Sequence, residues 1–138
     1  MHRVPYAEER TVVTAASESP HFSTRITNGK NVVVADADAA SGGGASGFLP
    51  HELLEASLAS CMNVTLRMYA DTHGIPLEGV QTTVTLNRDD PDKAAFEYSL
   101  HLDGPLTAEQ RTRLARAAAA CPVKRTLSRR ISFSPHES

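Results

Sequence analysis

Pro50-His51-Glu52-Leu53-Leu54-Glu55-Ala56-Ser57-Leu58-Ala59-Ser60-Cys61-Met62-Asn63-Val64-Thr65-Leu66-Arg67-Met68-Tyr69-Ala70-Asp71 is the stretch on which the reading of this chain turns. It predicts one long helix. A proline is pre-set for the first helical position, and Gly74 and Pro76 stop the run, so the helix is expected from Pro50 to about Asp71 or Thr72. Leu54, Leu58, Cys61, Thr65 and Met68 recur at helical spacing and define a stripe. Leu53, Ala59, Met62, Val64 and Leu66 widen the apolar coverage to most of the circumference. A helix that is apolar nearly all round belongs in the middle of a structure.

The segments on either side read as strands and one further helix. Upstream, Arg10 to Ala16 is rich in β-branched residues, and Phe22 to Ile26 alternates between two faces. Asn28-Gly29 is a hairpin signal, with Val32-Val33-Val34 as the return strand. Ser41 to Gly47 reads as a flexible connector. It lacks the Gly-Lys-Ser/Thr or G-x-G-x-x-G spacing of a phosphate cradle. Downstream, Val80 to Leu86 and Phe96 to Leu102 alternate and predict a second hairpin around the charged turn Arg88 to Lys93. Thr107 is positioned to cap a helix whose first turn holds Glu109 and Gln110, and Pro122 ends that helix at or near Cys121. Arg130 to Ser134 reads as a last short strand. Antiparallel strands separated by single helices predict an α+β fold with a mainly antiparallel sheet.

The chain has 138 residues, which predicts a single domain over 1–138. Hydrophobic residues are 41% of it, but 19 are alanine, tryptophan is absent and aromatics are 5%. So few large apolar side chains make a thin core, and a subunit interface is expected to supplement it. No apolar run approaches the ~20 residues that span a bilayer. Met1 to Glu9 lacks the apolar stretch of a signal peptide, so a cytoplasmic location and no membrane partner are expected. A net charge of −2 gives no overall attraction for nucleic acid, and no aromatics interleave with Lys124, Arg125, Arg129 and Arg130.

The two cysteines are the candidates for chemistry. Cys61 lies mid-helix, too far from the helix start for the N-terminal dipole to activate it, so another donor or cation has to. Its bland alternative is a small buried hydrophobe. Cys121, placed at a helix C-terminus, is a poor attacking group. It could close a disulfide on an oxidised Cys61, provided that the Cα atoms lie within about 7 Å.

Phe48-Leu49-Pro50-His51-Glu52-Leu53-Leu54 through Cys61 to Ala70 resembles the central helix of the OsmC/Ohr family. Ile75 to Val80, Leu106 to Arg111 and Cys121-Pro122-Val123-Lys124-Arg125-Thr126-Leu127 continue the likeness, which runs from about Phe22 to Phe133. The resemblance implies antiparallel sheets wrapping a long central Cys-bearing helix in an intertwined homodimer, with sites at the subunit interface. It also implies thiol peroxidase chemistry on a small hydroperoxide. Cys61 would be the peroxidatic thiol and Cys121 the resolving one, with an external dithiol as reductant and no bound cofactor or metal.

The likeness weakens at the groups that activate the thiol. The family places a Glu directly after the helix-starting Pro, to hold an Arg beside the thiolate. Here His51 follows Pro50 and Glu52 comes one later. At about 100° per residue, His51 lies about 80° around the axis from Cys61 and Glu52 lies almost opposite. His51 matches the position but cannot anchor an Arg as a carboxylate does. Arg25 is the first choice for the activating Arg and Arg10 the second. On the polar face of its strand, Arg25 also reads as a solvated charge, and Lys124 and Arg125 could supply cationic character instead.

Two functions compete. One is a Cys-based peroxidase that prefers organic hydroperoxides because Leu54, Leu58 and Met68 line the site. The other is a non-catalytic dimer that binds a small ligand and merely buries its thiols. A metal site from Cys61, Cys121 and His51 lacks the paired spacing of zinc ligands.

Overall fold

A computed structural model describes residues 12–136. Arg10, Thr11 and the start of the first expected strand lie outside the described residues. The elements in chain order are β1 (Thr14–Ser17), β2 (Thr24–Thr27), β3 (Val32–Ala35), α1 (Pro50–His73), β4 (Gly79–Asn87), β5 (Ala95–Asp103), α2 (Ala108–Ala119) and α3 (Pro122–Leu127). This is the expected α+β arrangement of antiparallel strands and one long helix. Among the described residues no helix is long and apolar enough to cross a membrane.

Two compact units make up the chain. One comprises the chain up to Ala56 together with Leu86–Phe96, the other Ser57–Thr85 and the chain from Glu97 onward. In the first unit, β1, β2 and β3 form an antiparallel sheet in that order. Thr27 pairs with Val32, so the turn holds four residues. Asn28 builds it: its Oδ1 accepts the backbone N–H groups of Lys30 at 3.0 Å and Asn31 at 2.8 Å. Gly29 supplies the left-handed backbone, at φ +97°.

The glycine-rich segment is folded around a side chain rather than being a loose connector. Asp36 is buried, and its carboxylate accepts the N–H of Ala37 at 2.7 Å, the N–H of Ser46 at 3.1 Å and the Ser46 hydroxyl at 2.7 Å. These bonds favour the ionised form, the Ser46 hydroxyl most, and hold the carboxyl below its ordinary range. The Phe48 N–H then donates to the Val34 carbonyl at 3.0 Å, returning the chain to β3. Gly47 permits that approach, because a Cβ there would meet the Val34 carbonyl oxygen at 2.2 Å.

The start of α1 belongs to the first unit. The backbone N–H of Leu49 donates to Glu52 Oε1 at 2.7 Å, the reciprocal half of a capping box, with Pro50 at the first helical position. Glu55 Oε2 accepts the Leu86 N–H at 2.7 Å.

The second unit holds most of the core. Its buried apolar residues are Leu58, Cys61, Met62, Leu66 and Ala70 of α1, Ile75 and Leu77 after it, and Leu114, Ala118 and Cys121 in and beyond α2. The buried α1 stripe is therefore rotated from the expected one. Met62, Leu66 and Ala70 join Leu58 and Cys61, while Leu54 and Met68 are 43% and 38% exposed. The helix is not covered all round within one chain. Its end matches expectation: Gly74 takes φ +62°, and the N–H of Ile75 bonds the Ala70 carbonyl at 3.0 Å. Arg67 fastens the exit by donating from Nη1 to the Leu77 carbonyl at 2.9 Å.

β4 and β5 form a two-stranded sheet, the second expected hairpin. Thr107 caps α2 in a full capping box with Gln110, in bonds of 3.1 and 3.0 Å. Lys124 and Arg125 lie on the short helix α3. One expectation fails at the C-terminus: Arg130–Ser134 is not a strand. Strand pattern alone does not make a strand without a partner to pair with, and among the described residues this segment has none.

Candidate active site

Helix α1 positions Cys61 on its buried face, and the turn between α2 and α3 positions Cys121. α2 ends at Ala119, with the Cys121 N–H bonded to the Ala118 carbonyl at 3.1 Å. Cys121 is then the N-cap of α3, with Pro122 at its first position. Proline therefore acts here as a helix start as well as a helix stop. Both sulfurs are thiols and both are buried, Cys61 with 5% and Cys121 with none of its surface exposed.

The two thiols meet. Cys61 acts on Cys121 through a side-chain hydrogen bond and through its charge. The backbone N–H of Val123, in the first turn of α3, donates to Cys61 Sγ at 3.4 Å. Such a donor favours a negative sulfur. The segment that carries one sulfur thus presents a donor to the other. This donor was not foreseen from the sequence, although Cys121-Pro122 is a helix-start pattern that pointed to it.

The acid–base character of Cys121 follows from its surroundings. Burial first, then the charge and hydrogen bond of Cys61, push its thiol up from an ordinary 9.0 to about 11. The backbone N–H groups of Lys124 and Val123 oppose that shift without cancelling it. The sequence reading of Cys121 as a poor attacking group therefore has a different cause. Desolvation holds the proton on, and the residue faces the start of a helix rather than only the end of one.

The other three candidates belong to the first unit and the two thiols to the second. Arg25 is exposed on β2, opposite Ala16 on one side and Val34 on the other. His51 is exposed in the first turn of α1. Glu52 is committed through Oε1 to the helix start. Its position three residues after Leu49 is where a carboxylate closes a cap. Among the described residues, no group of three or more His, Cys, Asp or Glu side chains is arranged to hold a metal ion.

A family model described as OsmC-like protein matches residues 42–136, which contain both cysteines. Among solved structures, the chain is similar to an OsmC like protein from Mycoplasma pneumoniae. The identity is 22% and the TM-score 0.71, over 87% of this chain and 88% of that one. An organic hydroperoxide resistance protein OsmC from Legionella pneumophila matches at 22% identity and a TM-score of 0.63, over 88% and 90%. The organic hydroperoxide resistance protein OhrB of Bacillus subtilis matches at 23% and 0.61, over 87% and 91%. At these identities the likeness to solved structures is one of fold. No curated protein sequence matches the chain significantly.

Proposed function

The chain belongs to the OsmC-like protein family, and from that premise we propose that it is a thiol-dependent peroxidase that reduces organic hydroperoxides. The observation that carries this reading is the meeting of two buried thiols, with the Val123 N–H directed at Cys61 Sγ. Organic hydroperoxide resistance, named for the Legionella and Bacillus proteins, supports the same substrate class here.

In the first step the Cys61 thiolate attacks the distal oxygen of ROOH. The S–O bond forms and the O–O bond breaks. Its electron pair leaves on RO⁻, which takes a proton and departs as the alcohol, and Cys61 becomes a sulfenic acid. The Val123 N–H lowers the free energy of the negative sulfur. Cys121 keeps its proton during this step, because its buried thiol titrates near 11. In the second step Cys121 attacks the Cys61 sulfur. The S–S bond forms, the S–O bond breaks, and hydroxide leaves with the Cys121 proton as water. An external dithiol then reduces the disulfide by exchange and is itself oxidised. No cofactor enters the cycle.

We read the working form as a homodimer in a reducing cytoplasm. Val12, Val13, Ile131 and Phe133 leave large apolar surface open on a single chain, Phe133 being 92% exposed. Apolar surface of this kind is buried by association.

The reduced protein is mixed with cumene hydroperoxide and excess dithiothreitol, and peroxide loss is followed. The reading predicts catalytic turnover that is abolished in Cys61→Ser. Consumption no faster than that of a free thiol at the same concentration overturns it and leaves the ligand-binding dimer.

A further inference from the structure

We propose that the Thr65 hydroxyl is a catalytic hydrogen-bond donor that holds the leaving oxygen of the hydroperoxide beside Cys61. The proposal rests on the peroxidase reading and adds a residue to it.

It begins from an anomaly. Thr65 Oγ1 is a buried side-chain oxygen without a hydrogen-bond partner among the described residues. A buried hydroxyl in that state costs free energy, and each such group in a folded protein calls for a reason. The ordinary escape for a helical Thr or Ser is to bond a carbonyl in the preceding turn. This chain uses that escape elsewhere: Thr112 donates to the Ala108 carbonyl at 3.1 Å and Ser60 to the Ser57 carbonyl at 3.2 Å. Thr82, on β4, instead donates to Asn63 Oδ1 at 2.6 Å. Thr65 does neither.

Its position gives the hydroxyl a use. Thr65 follows Cys61 by four residues on α1, so the two occupy one face a single turn apart, with Cβ atoms about 5–6 Å from each other. Side chains on a helix tilt toward its N-terminus, so Thr65 leans over the turn that carries Cys61 rather than away from it. Val123 N–H already serves the sulfur. What the first step still lacks is a donor for the other end of the reaction. As the S–O bond forms and the O–O bond breaks, negative charge gathers on RO⁻, one bond beyond the atom under attack. A fixed donor there is worth more in the transition state than in the ground state. The hydroxyl keeps its own proton and only donates a hydrogen bond, and RO⁻ takes its proton from water.

The test compares Thr65→Val, which keeps the shape and deletes the hydroxyl, with Thr65→Ser, which keeps the hydroxyl. Three quantities are read for each: the single-turnover rate of Cys61 oxidation by cumene hydroperoxide, the rate of Cys61 alkylation by iodoacetamide, and the melting temperature. The proposal predicts that Thr65→Val slows oxidation by about tenfold or more, the loss expected for one directed donor. Alkylation should stay within twofold of the parent, since it has no departing alkoxide, and the melting temperature should hold or rise as the orphan group is removed. Thr65→Ser should oxidise within about threefold of the parent. Oxidation of Thr65→Val at the parent rate overturns the proposal and makes the hydroxyl a structural group. A parallel fall in alkylation also overturns it, because the effect then lies on the thiol. If the parent itself reacts no faster than a free thiol, the peroxidase reading has failed, and the proposal falls with it for that separate reason.

Discussion

Replacing the Val123 amide by an ester, through incorporation of the matching hydroxy acid, removes one atom group that bears directly on the chemistry. The N–H that reaches Cys61 Sγ at 3.4 Å disappears, while the side chain and the chain direction stay. Val123 lies in the first turn of α3, where N–H groups have no intrahelical carbonyl to bond, so the helix gives up no hydrogen bond of its own. Hydrogen bonds to charged groups are worth about 1.5–3 kcal/mol, and sulfur, a softer and more diffuse acceptor than oxygen, argues for the lower end. About 1.4 kcal/mol is a factor of ten, so the ester should slow a thiolate-dependent reaction at neutral pH by about tenfold. Iodoacetamide alkylation of Cys61, read by peptide mass, is the assay, and the single-turnover rate with hydroperoxide should fall in step. An ester variant that alkylates at the parent rate refutes the claim that this backbone donor stabilises the negative sulfur. A tenfold loss of alkylation in a protein whose circular dichroism has also collapsed is refuted as evidence by the same sample, so folding is checked first.

The remaining predictions concern stability. Leu66 is fully buried, so Leu66→Ala should cost about 2–5 kcal/mol in a urea melt; a loss under 1 kcal/mol would contradict the core assignment. Cys121 holds its proton to about 11 when folded but loses it near 9.0 when exposed. The unfolded chain therefore binds fewer protons between those values, and stability should fall as pH rises through that window, a slope that Cys121→Ala removes. A pH-independent difference between the two proteins would count against the buried thiol. Asp36 runs the other way. Its lowered folded value means that its contribution is present above the unfolded value of 3.8 and is lost as pH falls through the folded one. Asp36→Asn should melt lower than the parent at pH 7, with the gap closing in acid; an unchanged melt at pH 7 would remove the loop-organising role.

Much of the architecture is legible in the chain, for reasons that lie in local physics. Pro50 and Gly74 act on the backbone itself, so α1 starts and stops where they stand. Thr107 and Gln110 satisfy each other's backbone groups within four residues, so α2 starts on schedule. The misses all depend on partners distant in sequence. Ser41 to Gly47 is rich in glycine and reads as slack, but Asp36 gathers it from ten residues away through Ser46. Ile131 and Phe133 alternate as strand residues do, yet no described strand pairs with them.

The site divides along the same line. Cys61 and Cys121 were picked out as residues, but only the fold brings them into contact, across sixty positions of chain. The buried face of α1, through Leu58, Cys61, Met62, Leu66 and Ala70, depends on what packs against the helix, which a helical wheel cannot know. Glu52 closes the start of α1 through a backbone N–H, a bond that the search for an arginine partner does not look for. The Val123 donor hides in a backbone group, and side-chain patterns do not report backbone groups.

The central claim is that Cys61 and Cys121 form a working redox couple. The most direct measurement is the intact mass and peptide map of fully reduced protein, quenched seconds after one equivalent of cumene hydroperoxide. The account predicts a loss of two hydrogens and a single peptide joined through Cys61 and Cys121, absent in either Ser variant. Both thiols recovered unmodified, or oxygen added to Cys61 with Cys121 left free, would contradict it.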